Sequence, residues 1–401
     1  MTAMDFIKQS FRSITTGGKL YWSWLGVLAV LVLFGFTGYI NQLQDGLIVT
    51  NMRDQVSWGF YIGNFTFLVG VAAAAVVLVI PAYVYSWKPI KEIVIIGELL
   101  AVSAIIMCIM FVTVDIGRPD RMWHFLRPNF PRSLLAWDVV VLNIYLFINL
   151  IISVHVLFRH YQGKPYAKWA WPIILASIPA AVSIHTVTAF LYNGLAARPF
   201  WNSAILAPRF LTSAFCSGPA IILVLLQILR KYTKLEIKNE ALWKIAELMA
   251  YAMFINLFLL GAEIFRDFYS QTHHLVHFQY MFFGIHGHNA IVGYVWLSVI
   301  TSTVAFILFL VPKTRKNFYT LNLGAFLIFI GVYIEKGVAL VVPGFTPSML
   351  GEIYEYAPSM TEWRVAAGVF SVGFIIFTLL IKIAVPIMDA HNEEKEQPAA
   401  T

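Results

Sequence analysis

Apolar stretches of about the twenty residues that a bilayer-crossing helix needs recur ten times along this chain. They are Leu20–Ile40, Trp58–Tyr85, Ile93–Val114, Leu135–Phe158, Trp169–Tyr192, Phe210–Leu229, Ile245–Phe265, Ala290–Val311, Phe318–Val342 and Trp363–Val385. The pattern predicts an all-α integral membrane protein with ten transmembrane helices. Pro81, Pro179 and Pro219 fall inside spans, where neighbouring helices can re-satisfy the carbonyls that a proline frees. The first stretch follows a basic segment without a small-residue cleavage site, so it reads as a retained helix and not a signal peptide. Residues 1–390 read as one polytopic membrane domain, and the polar end His391–Thr401 as a disordered tail.

Composition supports the pattern. Of 401 residues, 59% are hydrophobic and 12% charged, against about 45–50% and about 25% in a soluble chain. That excludes a soluble enzyme, a disordered scaffold and a nucleic-acid binder. The net charge of +7 is a topology signal first, because Lys and Arg gather in cytoplasmic loops. The side that holds the N-terminus carries 18 of the 28 basic residues, which puts both termini in the cytoplasm and makes a cell inner (cytoplasmic) membrane the expected location. The two cysteines, Cys108 and Cys216, both sit in apolar runs. They are too few for an iron–sulfur cluster, which takes about four, and no CxxCH haem-attachment motif is present.

An ionisable group inside a span costs about 2.5–3.5 kcal/mol on insertion scales and is a functional hypothesis by default. Ordered by depth, such groups collect toward the side opposite the termini, the periplasmic side. Spans two to five bring Trp58, Tyr61 and Asn64, then Asp115 and Arg118, Asp138 and Asn143, and His185, Thr186 and Thr188. Spans six to nine bring Arg209, Ser213, Ser217, Asn256, Glu263 and Arg266, His286, His288 and Asn289, and Tyr333, Glu335 and Lys336. The recurrence predicts two consecutive four-helix bundles, spans 2–5 and 6–9, plus two peripheral helices. On the cytoplasmic side the polar residues are fewer, with Glu98 about one turn in, Ser103 beyond it and His155 near a helix end.

Each signal also has a plain structural reading. Asp115 and Arg118 can pair within one helix, His185 can donate to a carbonyl, and Glu263 and Lys336 can neutralise each other. His273, His274 and His277 lie in a loop with no strong zinc spacing. A b-type haem needs histidines facing each other at matched depth, and His185 and His155 lie toward opposite faces. Convergence on one side is the stronger signal: a few directed polar groups in apolar walls suit an amphiphilic ring such as a quinone. A secondary transporter is the runner-up, since repeated bundles with buried Glu98, Glu263, Glu335 and Lys336 suit a proton relay, although no Gly/Pro-broken helix stands out. A purely structural anchor would not need ionisable groups two turns deep.

The segment VTVDIGRPDRMW, Val112–Trp123, resembles the DLGRP-type signature of the NrfD/PsrC family of quinone-interacting membrane subunits, with Ile116 where leucine is commoner. VSWGFYIGNFTFLVGVAA from Val56 resembles the family's second helix, and Pro179–Ala220 is similar to the family's DsrP branch. The resemblance covers essentially the whole chain. It implies a subunit with no haem and no iron–sulfur cluster of its own, exchanging electrons between menaquinol or menaquinone and a periplasmic iron–sulfur partner. For the DsrMKJOP type it implies a DsrO-like iron–sulfur subunit, a DsrJ-like cytochrome c, a DsrM-like haem b membrane subunit and a DsrK-like cytoplasmic iron–sulfur subunit, in the lipid membrane and without nucleic acid. Equivalent subunits of quinone reductase, Hmc and alternative complex III assemblies are the alternatives.

The family's quinone pocket lies in the first bundle, so the resemblance carries Asp115, Arg118 and His185 over to it. Trp58, Asn64, Asp138 and Thr188 join by depth. His185 is then expected to accept a quinol proton, its ordinary pKa of about 6.5 letting it cycle near neutrality. Asp115 would accept the second proton or hold the histidine tautomer, with Arg118 tempering its basicity. Glu98, Glu263, Glu335 and Lys336 are the expected proton path. Glu98 either opens a cytoplasmic half-channel through Ser103 or pairs with Lys91 or Lys382.

Overall fold

The computed structural model describes residues 2–126, 132–233, 235–272, 274–348 and 350–396. His273, Lys234 and the last five residues of the tail lie outside them. Among the described residues ten helices are long and apolar enough to cross a membrane, and no strand is present beyond an isolated bridge between Ile285 and His288. That is the architecture hydrocarbon demands, because a helix satisfies its own backbone polar groups. The spans are Lys19–Asp45, Phe60–Val84, Val94–Asp115, Leu134–Tyr161, Ala170–Asn193, Leu206–Tyr232, Asn239–Ser270, Val292–Leu310, Phe318–Phe345 and Met360–His391. The last helix continues to Glu396, so the beginning of the expected tail is helical.

Burial separates centre from edge. In the third span 83% of the apolar window is buried, in the first only 17%, so the first presents most of its surface outward. It packs on the tenth, which in turn rests on the third and fourth. The contact is close because Gly35 and Gly368 face each other: a Cβ on Gly35 would lie 2.5 Å from the Gly368 Cα, the small-residue device that lets membrane helices approach. The second span packs on the third, sixth and ninth, the third on the fourth, and the fourth on the fifth, which returns to the second. Spans six and seven pack together, as do seven and eight and eight and nine, and the ninth returns to the sixth.

Several boundaries differ from the apolar blocks. The sixth span starts at Leu206 and the seventh runs from Asn239 to Ser270, because polar residues extend each helix past its apolar core. Pro81 lies in a short π-helical segment, Ile80–Val84, that ends the second span, a usual response of a helix to a proline in its ladder. The ninth span is broken. It is helical to Lys336, interrupted at Gly337 and resumes as Val338–Phe345. A Cβ on Gly63 would lie 3.1 Å from the Gly337 Cα, so the break sits where the second and ninth spans touch. An N-terminal helix, Ala3–Thr15, precedes the spans and starts with a Thr2–Asp5 capping box.

Candidate functional site

Polar side chains in the spans form two networks. The first lies among spans two to five. The Thr188 hydroxyl donates to Asp138 Oδ1 at 2.6 Å, linking the fifth span to the fourth, and both residues are buried. One turn earlier on the same helix, His185 is 1% exposed and its Nδ1 lies 2.8 Å from the Ala181 carbonyl. A carbonyl only accepts, so Nδ1 carries the hydrogen and Nε2 of the neutral ring is an acceptor. That Nε2 is buried and has no partner. Asp115 ends the third span with Oδ1 likewise buried and unpartnered. Tyr61, Tyr192 and Glu362 lie within electrostatic reach of it.

Aromatic and amide groups frame these atoms. Trp58 stacks on Trp201 with centroids 5.6 Å apart and meets Tyr192 edge-on at 5.4 Å. Trp201 Nε1 donates to the Leu340 carbonyl at 2.8 Å. The Tyr192 and Thr66 hydroxyls lie 2.5 Å apart. Tyr61 donates to Gln42 Oε1 at 2.8 Å, and Gln42 Nε2 donates to the carbonyl of Val114, next to Asp115, at 2.6 Å. From the segment before the tenth span, Tyr356 donates to Glu362 in that span's first turn, whose carboxylate also accepts from the backbone of Asn51 and Ser359. Burial first, and the Glu362 charge next, hold the Tyr356 phenol well above its ordinary range, so it stays a donor.

The second network lies among spans six to nine. Arg209 reaches Glu263 Oε2 at 2.5 Å and Glu335 Oε1 at 3.0 Å, while Asn256 Nδ2 donates to Glu335 Oε2 at 2.9 Å. Lys336 is 4% exposed, with its ammonium 3.4 Å from the centroid of the Phe210 ring. Arg209, Glu263, Glu335 and Lys336 line one cavity with Ser298 and Ser302. Toward the end of the bundle that holds the two termini, Glu98, 2% exposed, accepts from the Ser153 hydroxyl at 3.3 Å.

Several expected pairings are corrected. Arg118 stands on the surface, its guanidinium on both oxygens of Asp120 at 3.0 Å and away from Asp115, because it follows the end of the third helix and turns outward. The Ala181 carbonyl, and not Asp115, fixes the His185 ring. Lys336 does not neutralise Glu263, because the forked guanidinium of Arg209 spans both glutamates. Glu98 meets Ser153, and neither Lys91 nor Lys382 pairs with it. Lys91 and Lys382 rest over Tyr166 and Tyr21 instead. Asn64 turns toward the ninth span, accepting from the Tyr333 hydroxyl at 2.7 Å. Ser103 donates within its own helix to Leu99. Gln42, Tyr192, Trp201, Tyr356, Glu362 and Ser153 did not stand out in the sequence, since each lies at a span end or reads as ordinary interfacial or helical polarity. Among the described residues no three His, Cys, Asp or Glu side chains gather as a metal-binding group.

Ten apolar helices carrying buried polar networks define a multi-pass integral membrane protein. Its residues 48–347 match the family described as polysulphide reductase, NrfD, and the chain belongs to that family. It is 28% identical to a putative membrane subunit of dimethyl sulfoxide reductase from Halobacterium salinarum, over 90% of this chain and 91% of that one. It is 23% identical to a selenate reductase subunit from Mesobacillus selenatarsenatis, over 94% and 96%. It is also 22% identical to an Hdr-like menaquinol oxidoreductase integral membrane subunit from Archaeoglobus fulgidus, over 96% and 98%. All three are named as subunits of reductases or oxidoreductases, the first and third as membrane subunits.

Proposed function

We propose that this chain exchanges electrons between menaquinol or menaquinone and a periplasmic iron–sulfur partner subunit, within an inner-membrane complex of the DsrMKJOP type and with both termini cytoplasmic. The relatives' names support the quinone and the complex. The observation that carries the site is the buried, unpartnered Nε2 of His185, held as an acceptor by the Ala181 bond. A buried polar atom without a partner is unfavourable, and a quinol hydroxyl supplies the missing donor. Oxidising a quinol releases two electrons and two protons. His185 takes one proton, and Asp115, with its own open oxygen, takes the other. Thr188 and Asp138 hold the wall beside His185, Trp58 roofs the end, and Asn64 joins this wall to the ninth span. Arg118, exposed beside Asp120, serves the entrance.

The proton part of the proposal rests on the buried charges. Glu98 lies 17 residues before Asp115 on one helix, about 25 Å at 1.5 Å per residue, so water must bridge them. A recess lined by Tyr83, Lys91, Val94, Ile95 and Val156 lies at the end that holds the termini. Val94 and Val156 are one turn from Glu98 and Ser153. The Arg209–Glu263–Glu335–Lys336 cluster is the relay in the other half, and the break at Gly337 beside it favours ion movement as the second activity.

The test is a titration of the purified protein with a quinol analogue, together with an absorbance spectrum of the same sample. Saturable binding without a Soret band is expected. A b-haem spectrum lost on His185→Ala would replace the quinone reading with a haem one.

A further inference from the structure

The N-terminal helix Ala3–Thr15 packs on the tenth and fourth spans, and a recess lies beside these contacts. Phe6 packs edge-on against Phe158 and Tyr161 of the fourth span, at 5.5 and 5.6 Å. The Tyr21 hydroxyl donates to the Ile14 carbonyl at 2.9 Å, and the Tyr21 ring carries the Lys382 ammonium at 5.1 Å. The recess is lined by Lys8, Gln9, Arg12, Ser13 and Lys382. Lys8 and Arg12 are one turn apart on one helix face, and Lys382 comes from the tenth span. Among the described residues no carboxylate forms an ion pair with any of the three. The nearby Asp5 is engaged with Thr2 in the helix cap. Three cations thus converge on a depression whose described lining contains no acid.

The surroundings say what the depression meets. Met4, Ile7 and Phe11 of the same helix turn outward, 60–69% exposed. A helix with such a face and a basic flank lies in the plane of a membrane interface. Its recess therefore opens at headgroup depth, with acyl chains beside it.

We propose that this recess binds the phosphodiester headgroup of one anionic phospholipid, with Lys8, Arg12 and Lys382 neutralising the phosphate and Gln9 and Ser13 donating to it. Basic pockets between helices at the cytoplasmic face are suited to such headgroups. The lipid would reinforce the packing of the N-terminal helix on the tenth span, away from both polar networks.

The full chain, purified in detergent and stripped of lipid, is titrated with phosphatidylglycerol or with phosphatidylcholine of the same acyl chains, and bound lipid is read by native mass spectrometry. One phosphatidylglycerol should bind at least about tenfold more tightly than phosphatidylcholine. Lys8→Gln/Arg12→Gln/Lys382→Gln should abolish that preference. Lys8→Arg/Lys382→Arg should keep it, which separates lost charge from lost fold. Lys164→Gln/Lys168→Gln/Lys313→Gln removes as many cations from the same end of the molecule and should also keep it. The proposal falls if the recess variant retains the preference, or if the control variant loses it equally, which would mean diffuse surface attraction. It falls as well if millimolar inorganic phosphate displaces the lipid fully, which would mark a free-phosphate site.

Discussion

His185→Ala separates binding from chemistry. The substitution deletes the Nε2 acceptor and the Nδ1 bond to Ala181. The Ala181 carbonyl lies inside the helix Ala170–Asn193 and keeps its main-chain partner, so insertion and folding should survive. One hydrogen bond to a quinol is worth about 0.5–1.5 kcal/mol net, so a quinol analogue should bind roughly two- to twelvefold more weakly. Turnover has more to lose, because a positioned proton acceptor contributes about 10²–10⁴-fold. His185→Gln can keep an acceptor oxygen but takes up no proton near neutrality, so it should recover much of the binding and little of the turnover. The assay is quinol-dependent electron flow in the assembled complex, beside analogue binding to the same preparation. If turnover in both variants fell by no more than binding does, His185 would be a structural histidine and the proton acceptor would lie elsewhere.

Thr188→Val should destabilise the protein by about 1–3 kcal/mol, since it strips a donor from the buried Asp138 carboxylate. Detergent unfolding checks this, and Asp138→Asn in the same background should recover part of the loss. Arg209→Met should cost about 3–5 kcal/mol, because Glu263 and Glu335 lose their shared partner; a change under about 1 kcal/mol would show that the cluster is hydrated and not a buried ion pair. Glu98→Gln should leave quinol oxidation in detergent intact and lower the proton-to-electron ratio in sealed vesicles. Identical ratios in variant and wild type would remove Glu98 from the proton path.

The ten spans were legible because hydrocarbon imposes length and apolarity on every crossing segment. The break at Gly337 was not, since a single glycine after Lys336 looks the same in a continuous helix; the interrupted backbone and the approach of Gly63 reveal it. For the site, depth placed His185, Asp138 and Thr188 on one level; Thr188 bonds Asp138, and His185 lies one turn from Thr188 on the same helix. Partner choice was the illegible part. Arg118 is three residues from Asp115 and two from Asp120, and sequence spacing favours the helical pair. The helix ends at Asp115, so the three-residue relation no longer puts the two groups on one face. Glu263 and Lys336 have opposite charges at similar depth, but one guanidinium can span two carboxylates and one ammonium cannot do so with the same geometry. Long-range partners such as Gln42 with Tyr61, or Ser153 with Glu98, carry no local signal.

The two polar networks touch through a short set of contacts. Asn64, on the second span, accepts from Tyr333 on the ninth, two residues before Glu335, and Gly63 meets Gly337 immediately after Lys336. Lys336 also lies within electrostatic reach of His185. On the mechanism proposed above, a proton gained by His185 adds positive charge within electrostatic reach of the Lys336 side chain, and buried charges are poorly screened. The repulsion can be relieved by moving Lys336 toward Glu335 or by releasing a proton from the cluster. The Asn64–Tyr333 bond and the Gly63–Gly337 approach thus join the two polar networks through the second and ninth spans.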